Sequence, residues 1–258
     1  MASPKKTLLT SILLTCVNVY AQHEFHIEAG GGLSTLNYDV LFGDQKNGIA
    51  EEFGVGYSFF FSPNFGIRSG ANLSYYHAKA TLSNLFDSYD AYDGEEYFEF
   101  RYKINHYEEK QHALYLNIPL MVQFQYGKKQ MLYVAAGGKL GIPLLGKYKT
   151  TSNSFKTSGY YPSINIEFEE PEFMGFGTFS DKHYKDDFDL HIIGMLSLEA
   201  GVKWQLSDKF YLYTGAYFDY GLNNVVKNNF NKALVKYNID RPDCFRLNGI
   251  PTSNYTDR

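Results

Sequence analysis

Candidate chemistry in this 258-residue chain begins with seven histidines: His23, His26, His77, His106, His112, His183 and His191. They show no metal-ligand spacing, and His23 and His26 fall on opposite faces of a strand, where they cannot form a bidentate site. A hydrolytic pair needs a histidine and a serine facing each other. Ser180, Ser197 and His191 are available, but no motif aligns them. Gly30-Gly31-Gly32 lies inside a strand-like segment, where glycine allows curvature or close packing rather than a phosphate cradle. These residues predict no enzyme, no metal and no cofactor.

Two sets of charged residues have more pattern. One is a run from Asp87 to Phe100 that is acidic and aromatic, with Asp87, Asp90, Asp93, Glu95, Glu96 and Tyr97 as contact candidates. Its aspartates are spaced by three, whereas an EF-hand calcium loop uses a spacing of two. Three readings stay open for it: calcium, a surface that contacts protein or glycan, and a merely solvated loop. Glu169-Glu170-Pro171-Glu172 is a second acidic stretch. The other set is Glu52, Arg68, Lys139, Glu199 and Lys203, which share the polar face of alternating segments.

Those segments are what position the charges. After residue 22 the chain repeats with period two, the signature of strands with two unlike faces. Seven such runs occur, each about 11 to 17 residues long. In one, Leu114, Leu116, Ile118, Leu120, Val122 and Phe124 alternate with Tyr115, Asn117, Gln123 and Gln125. Strands of soluble proteins have about 5–6 residues, and a tilted membrane-crossing strand needs about 9–11. Ser62-Pro63-Asn64, Gly127-Lys128-Lys129-Gln130 and Ser207-Asp208-Lys209 are tight turns. They alternate with long polar connections at 38–50, 80–112, 146–187 and 221 onward. Short turns on one side and long loops on the other predict an all-β, up-and-down antiparallel transmembrane barrel of the eight-stranded type. A lipocalin-like barrel also meanders, but its connections lack this asymmetry. Aromatics near the segment ends, among them Tyr57, Phe65, Tyr75, Tyr126 and Tyr220, fit girdles at two membrane interfaces.

Depth counted along the strands places the inward charges. Arg68 is four residues past Asn64 and Lys203 four before Ser207, near the short turns. Glu52, Lys139 and Glu199 lie about eight to ten residues from theirs, at mid-depth. Opposite charges in a narrow lumen pair, so the expectation is a plugged barrel without an open pore.

Composition agrees. The formal charge is -4, 17% of residues are aromatic and 20% charged. Mean hydropathy is -0.33, against a helical membrane bundle, and so many aromatics argue against disorder. A mildly acidic chain without a basic stripe predicts no nucleic-acid partner. The N-terminus reads as an export signal over residues 1–21: Lys5-Lys6, an apolar run from Leu8 to Val17, and Ala21 before a mature start at Gln22. Leu13-Leu14-Thr15-Cys16 is a poor lipoprotein signal, because threonine precedes the cysteine. Removing that segment leaves Cys244 alone, which excludes an intrachain disulfide framework.

Residues 22–258 form the barrel domain, yet seven strands are an odd count. Asn223-Asn224, Asn228-Asn229, Pro242, Gly249 and Pro251 break every candidate strand after residue 220, and Ala233–Ile239 is short. The expectation is a C-terminally truncated chain that stops inside the fourth long connection, short of its last strand.

Several motifs are familiar in order and spacing. Tyr115-Leu116-Asn117-Ile118-Pro119-Leu120-Met121, Gly137-Gly138-Lys139-Leu140-Gly141, Phe188-Asp189-Leu190, Ala200-Gly201-Val202-Lys203-Trp204-Gln205-Leu206 and Tyr220-Gly221-Leu222-Asn223-Asn224 resemble Bacteroidetes outer-membrane β-barrel proteins, the PorT-like and OmpA-like small barrels. The resemblance spans about residues 23–227. It implies an eight-stranded barrel, sometimes followed by a periplasmic wall-binding domain, and no catalytic residues. The expected partners are outer-membrane lipid and a protein or glycan at the long loops. The expected role is structural or surface-interacting; the alternative is a narrow channel or a component of a secretion or uptake assembly.

Overall fold

A computed structural model describes residues 13–20, 23–34, 39–40, 43–187, 189–227, 233–253 and 256–257. The strands begin with β1 (Leu13–Tyr20), β2 (His23–Ser34), β3 (Asp39–Val40), β4 (Gly43–Lys46) and β5 (Gly48–Phe60). Three long ones follow: β6 (Phe65–Tyr92), β7 (Tyr97–Gly127) and β8 (Gln130–Tyr161). After them come β9 (Ile166–Phe168), β10 (Gly177–Asp187), β11 (Ile193–Gln205) and β12 (Phe210–Gly221). The chain ends with β13 (Val235–Lys236), β14 (Arg246–Leu247) and β15 (Thr256–Asp257), and with 3-10 turns at Glu172–Met174 and Ile250–Thr252.

Pairing runs β1–β2–β5–β6–β7–β8–β11–β12, and β12 pairs β1 again, every contact antiparallel. The pairings therefore lead back to their start, as a barrel requires. Closing the ring leaves no edge whose amides and carbonyls lack partners. The sequence finds no eighth strand after residue 220, and the described residues there supply none to the ring. The eighth place is taken from the other end of the chain by β1, which pairs β12 from Leu13↔Gly215 to Asn18↔Phe210 and β2 from Leu14↔Ala29 to Tyr20↔His23. The seven-strand count omitted it because an apolar run behind two lysines reads as an export signal.

Alternation sorts the two faces of the wall. In β7, Tyr115, Asn117, Gln123 and Gln125 are buried while Ile118, Leu120, Val122, Phe124 and Tyr126 stand exposed. Phe25, Phe53, Leu132 and Leu198 continue that outward band around the ring. An exposed apolar belt of this extent is unsuited to water. The turns are tight for local reasons. Ser62 Oγ accepts the Phe65 amide at 3.0 Å, and Gly127 has φ +136, where a Cβ would meet the Gln130 carbonyl at 2.3 Å.

The long connections are not loops. β6, β7 and β8 contain 28, 31 and 32 residues, so β8 is about 100 Å long at ~3.3 Å per residue, several times what a membrane crossing uses. Most of 80–112 and much of 146–187 are thus strand, in a sheet that leaves the barrel and is widened by β10. This head has its own core of Ala80, Leu82, Leu85, Phe98, Phe100, Tyr102, Ile104, Phe155 and Phe179. Leu234, Val235, Leu247 and Ile250 of the C-terminal segment pack onto it as a strap. The tips turn through Asp93, whose Oδ1 accepts the amides of Glu95 and Glu96, each at 2.9 Å.

Candidate functional site

The inward face of the barrel carries a network of buried charges. All five residues of the predicted lumen cluster are there, each less than a tenth exposed: Glu52 on β5, Arg68 on β6, Lys139 on β8, Glu199 and Lys203 on β11. They meet as pairs with neighbours. Arg68 grips Glu199 with both guanidinium nitrogens, Nη1 lying 3.1 Å from Oε1, and the Tyr133 hydroxyl donates to the same Oε1 at 2.7 Å. Lys139 reaches Asp219 at 2.9 Å and Glu52 at 3.7 Å. Glu52 also accepts from Asn72 Nδ2 and Ser74 Oγ, each at 2.8 Å. Lys203 pairs with Glu24 and donates to Gln125 Oε1 at 3.2 Å, while Tyr213 donates to Glu24 at 2.6 Å.

Two acidic partners, Glu24 and Asp219, did not enter the predicted cluster, although both lie on polar faces of the alternation. Counting depth from the turns put Arg68 and Glu199 at different levels. Barrel strands tilt and stagger, so residues at unequal counts meet across the lumen. Small residues make the room. A Cβ on Gly54 would sit 2.3 Å from Asn72 Oδ1, and one on Gly215 would sit 2.7 Å from the Tyr133 hydroxyl. Glycine on a lumen face is therefore the sequence signal of a large polar neighbour opposite.

Above the barrel, the odd-numbered face of β7 that lines the lumen continues into the head. There Glu109 is fully buried. Its Oε2 accepts the Ile250 amide at 2.8 Å and its Oε1 accepts from Gln111 at 2.7 Å. Burial pushes its carboxyl up to about 8, against those two bonds, which favour the charged form. Tyr107 donates to the Asn248 carbonyl at 2.7 Å, and the Tyr89 hydroxyl accepts the Tyr237 amide at 2.7 Å. These contacts fasten the strap to the sheet. Nothing in the sequence marks Glu109, since the run Glu108-Glu109-Lys110 looks like a solvated charge cluster.

The predicted contact residues divide. Asp87 and Asp90 lie on β6, not in a loop, and Asp87 accepts the Tyr102 hydroxyl at 2.8 Å. Asp93 accepts the Tyr161 hydroxyl at 2.9 Å. Burial opposes its charge, but the Glu96 and Glu95 amides and that hydroxyl hold its carboxyl below the usual range. Glu96 accepts Ser163 Oγ at 2.6 Å. Asp87, Asp93 and Glu96 thus build the tip. Asp90, Glu95 and Tyr97, the last 73% exposed, are presented by it. Tyr92 packs beside Tyr97 with ring centroids 5.1 Å apart. Among the described residues no group of three or more His, Cys, Asp or Glu is placed to hold a metal ion.

A family model described as outer membrane protein beta-barrel domain matches residues 20–227, from the last residue of β1 through the segment after β12. Neither the curated proteins nor the solved structures contain a match to the chain.

Proposed function

The chain belongs to the outer membrane protein β-barrel domain family, and from that premise we propose that it is a non-catalytic barrel with a closed lumen that holds a rigid β-sheet head at the cell surface. The protein is located in the outer membrane, with its apolar belt against lipid. The single observation behind the proposed role is the continuity of β6, β7 and β8 from the barrel wall into the head core. A sheet anchored in this way presents its tip at a fixed orientation, which suits contact with another surface better than gating.

Support for a closed lumen comes from the paired charges that cross it. Buried pairs of this kind resist separation, because removing one partner strands the other in a poorly solvated place. The finer likeness, to the PorT-like and OmpA-like small barrels of Bacteroidetes, rests on the motifs quoted above. Residues 1–21 have the pattern of an export address, which delivery to the outer membrane calls for. Cleavage after Ala21 would take β1 from between β2 and β12 and leave that seam to another strand.

The partner class at the tip is protein or glycan, judged from exposed Tyr92 and Tyr97 beside Asp90 and Glu95. Purified full-length protein tested against arrays of surface glycans and surface proteins is the direct experiment. Retention that Tyr97→Ala abolishes supports the surface role. Retention unaffected by changes at the tip rejects it. A secretion or uptake component would instead co-purify with an envelope assembly.

A further inference from the structure

Five lysines stand in one cross-strand row. Lys46 on β4 is opposite Lys79 on β6, Lys79 opposite Lys110 on β7, Lys110 opposite Lys149 on β8, and Lys149 opposite Lys185 on β10. Neighbouring strands lie about 4.8 Å apart, so the row is about 19 Å wide. Its members share the outward face, because the flanking residues Ala80, Glu109 and Thr150 are buried on the other side. Lys46, Lys110, Lys149 and Lys185 are exposed and Lys79 partly so.

Like charges set directly opposite each other destabilise a sheet, and here four successive pairs do so. Glu108 lies 2.7 Å from Lys79 and 3.5 Å from Lys110, and exposed Asp187 stands opposite Lys147 one row below, so among the described residues two acids flank the five lysines on this face. That leaves the row strongly cationic. Its height is also specific. On the same outward face the apolar belt ends at Tyr75, Leu114 and Leu145, which pair in register. Next comes His77 opposite His112, with Lys147 beyond it, and then the lysine row. The lysines therefore stand two rows above the last lipid-facing side chains, pointing the same way, with long stems able to bend toward the membrane. This is the level at which headgroups of the outer leaflet begin.

We propose that this row is a docking surface for the phosphate groups of an outer-leaflet glycolipid. Continuity with the lipid-facing belt selects a membrane anion over a soluble one. Phosphates set among five lysines relieve the repulsion along the row and fix the depth at which the head leaves the membrane.

The test uses the full chain in nanodiscs of a neutral phospholipid containing either bisphosphorylated lipid A or its dephosphorylated form. Glycolipid retained per protein after detergent extraction is counted by mass spectrometry. The expected result is retention of the phosphorylated form at least about tenfold above the other, lost in the K79Q/K110Q/K149Q variant. K128Q/K129Q, at the turn on the opposite rim, should retain it in full. Equal retention by the wild type and the triple variant overturns the proposal, as does equal retention of the two lipids. Displacement of lipid A by millimolar inorganic phosphate would assign the row to a free anion instead. Should the triple variant lose its heat-dependent gel migration, the exposed pair K149Q/K185Q carries the same comparison.

Discussion

Arg68 and Glu199 are 131 residues apart in sequence and face each other across the barrel, with Arg68 Nη1 3.1 Å from Glu199 Oε1. Neither residue is on a strand adjacent to the other's, so the bond spans the lumen rather than the wall. Replacing Glu199 with Gln or Arg68 with Ala strands a buried charge and should cost about 3–5 kcal/mol. The double change to Met should cost far less, since it removes both charges together. Urea unfolding followed by heat-dependent gel migration measures the three variants. Equal losses in single and double variants would show that the charges do not act as a pair.

Glu109 ties the strap to the head through the Ile250 amide, and its protonation sets a pH dependence. Its unfolded value is near 4.5 and its folded value about 8. Between these the folded chain holds a proton that the unfolded chain releases. Its contribution is therefore complete below the lower value and is lost as pH rises through the upper one. Tyr107 and Tyr148 beside it are pushed upward as well and stay neutral over this range. Protection factors of the amides in 233–253, with the intrinsic pH dependence of exchange divided out, should be high at pH 6 and fall as pH passes about 8, where this carboxyl ionises. Glu109→Gln should flatten the profile; an unchanged profile in that variant would exclude Glu109 as the cause.

Gly54 leaves space that Asn72 fills on its way to Glu52. Gly54→Leu should displace Asn72 and weaken the Glu52–Lys139 pair, lowering stability by about 1–3 kcal/mol through overpacking. Unfolding midpoints in urea provide the measurement, and a neutral result would mean that the lumen has spare room.

The N-terminus gives a fourth expectation. Protein extracted from outer membranes should begin at Gln22. Edman sequencing that starts at Met1 or Ala2 would instead keep β1 as a permanent strand between β2 and β12.

The barrel wall was legible because lipid-facing and lumen-facing residues alternate strictly, as from Leu114 to Phe124. The lumen cluster was legible for the same reason, but its pairings were not. Glu24 and Asp219 were visible as polar-face residues, yet stagger between tilted strands decides which charge meets which. The head reads as loop from its sequence although Phe98, Phe100, Tyr102 and Ile104 alternate with Glu99, Arg101 and Lys103. Acidic composition masked that period. At Asn84, with φ 53, the inward parity shifts from Leu82 to Leu85, which breaks the pattern in β6. The strap was opaque, since Leu234, Val235, Leu247 and Ile250 are spread over a segment broken by Pro242 and Gly249.

Whether the paired charges close the lumen is decided most directly by recording from the full-length, heat-modifiable protein in a planar bilayer at neutral pH. Closure predicts no steady current, and a steady ohmic conductance would contradict it.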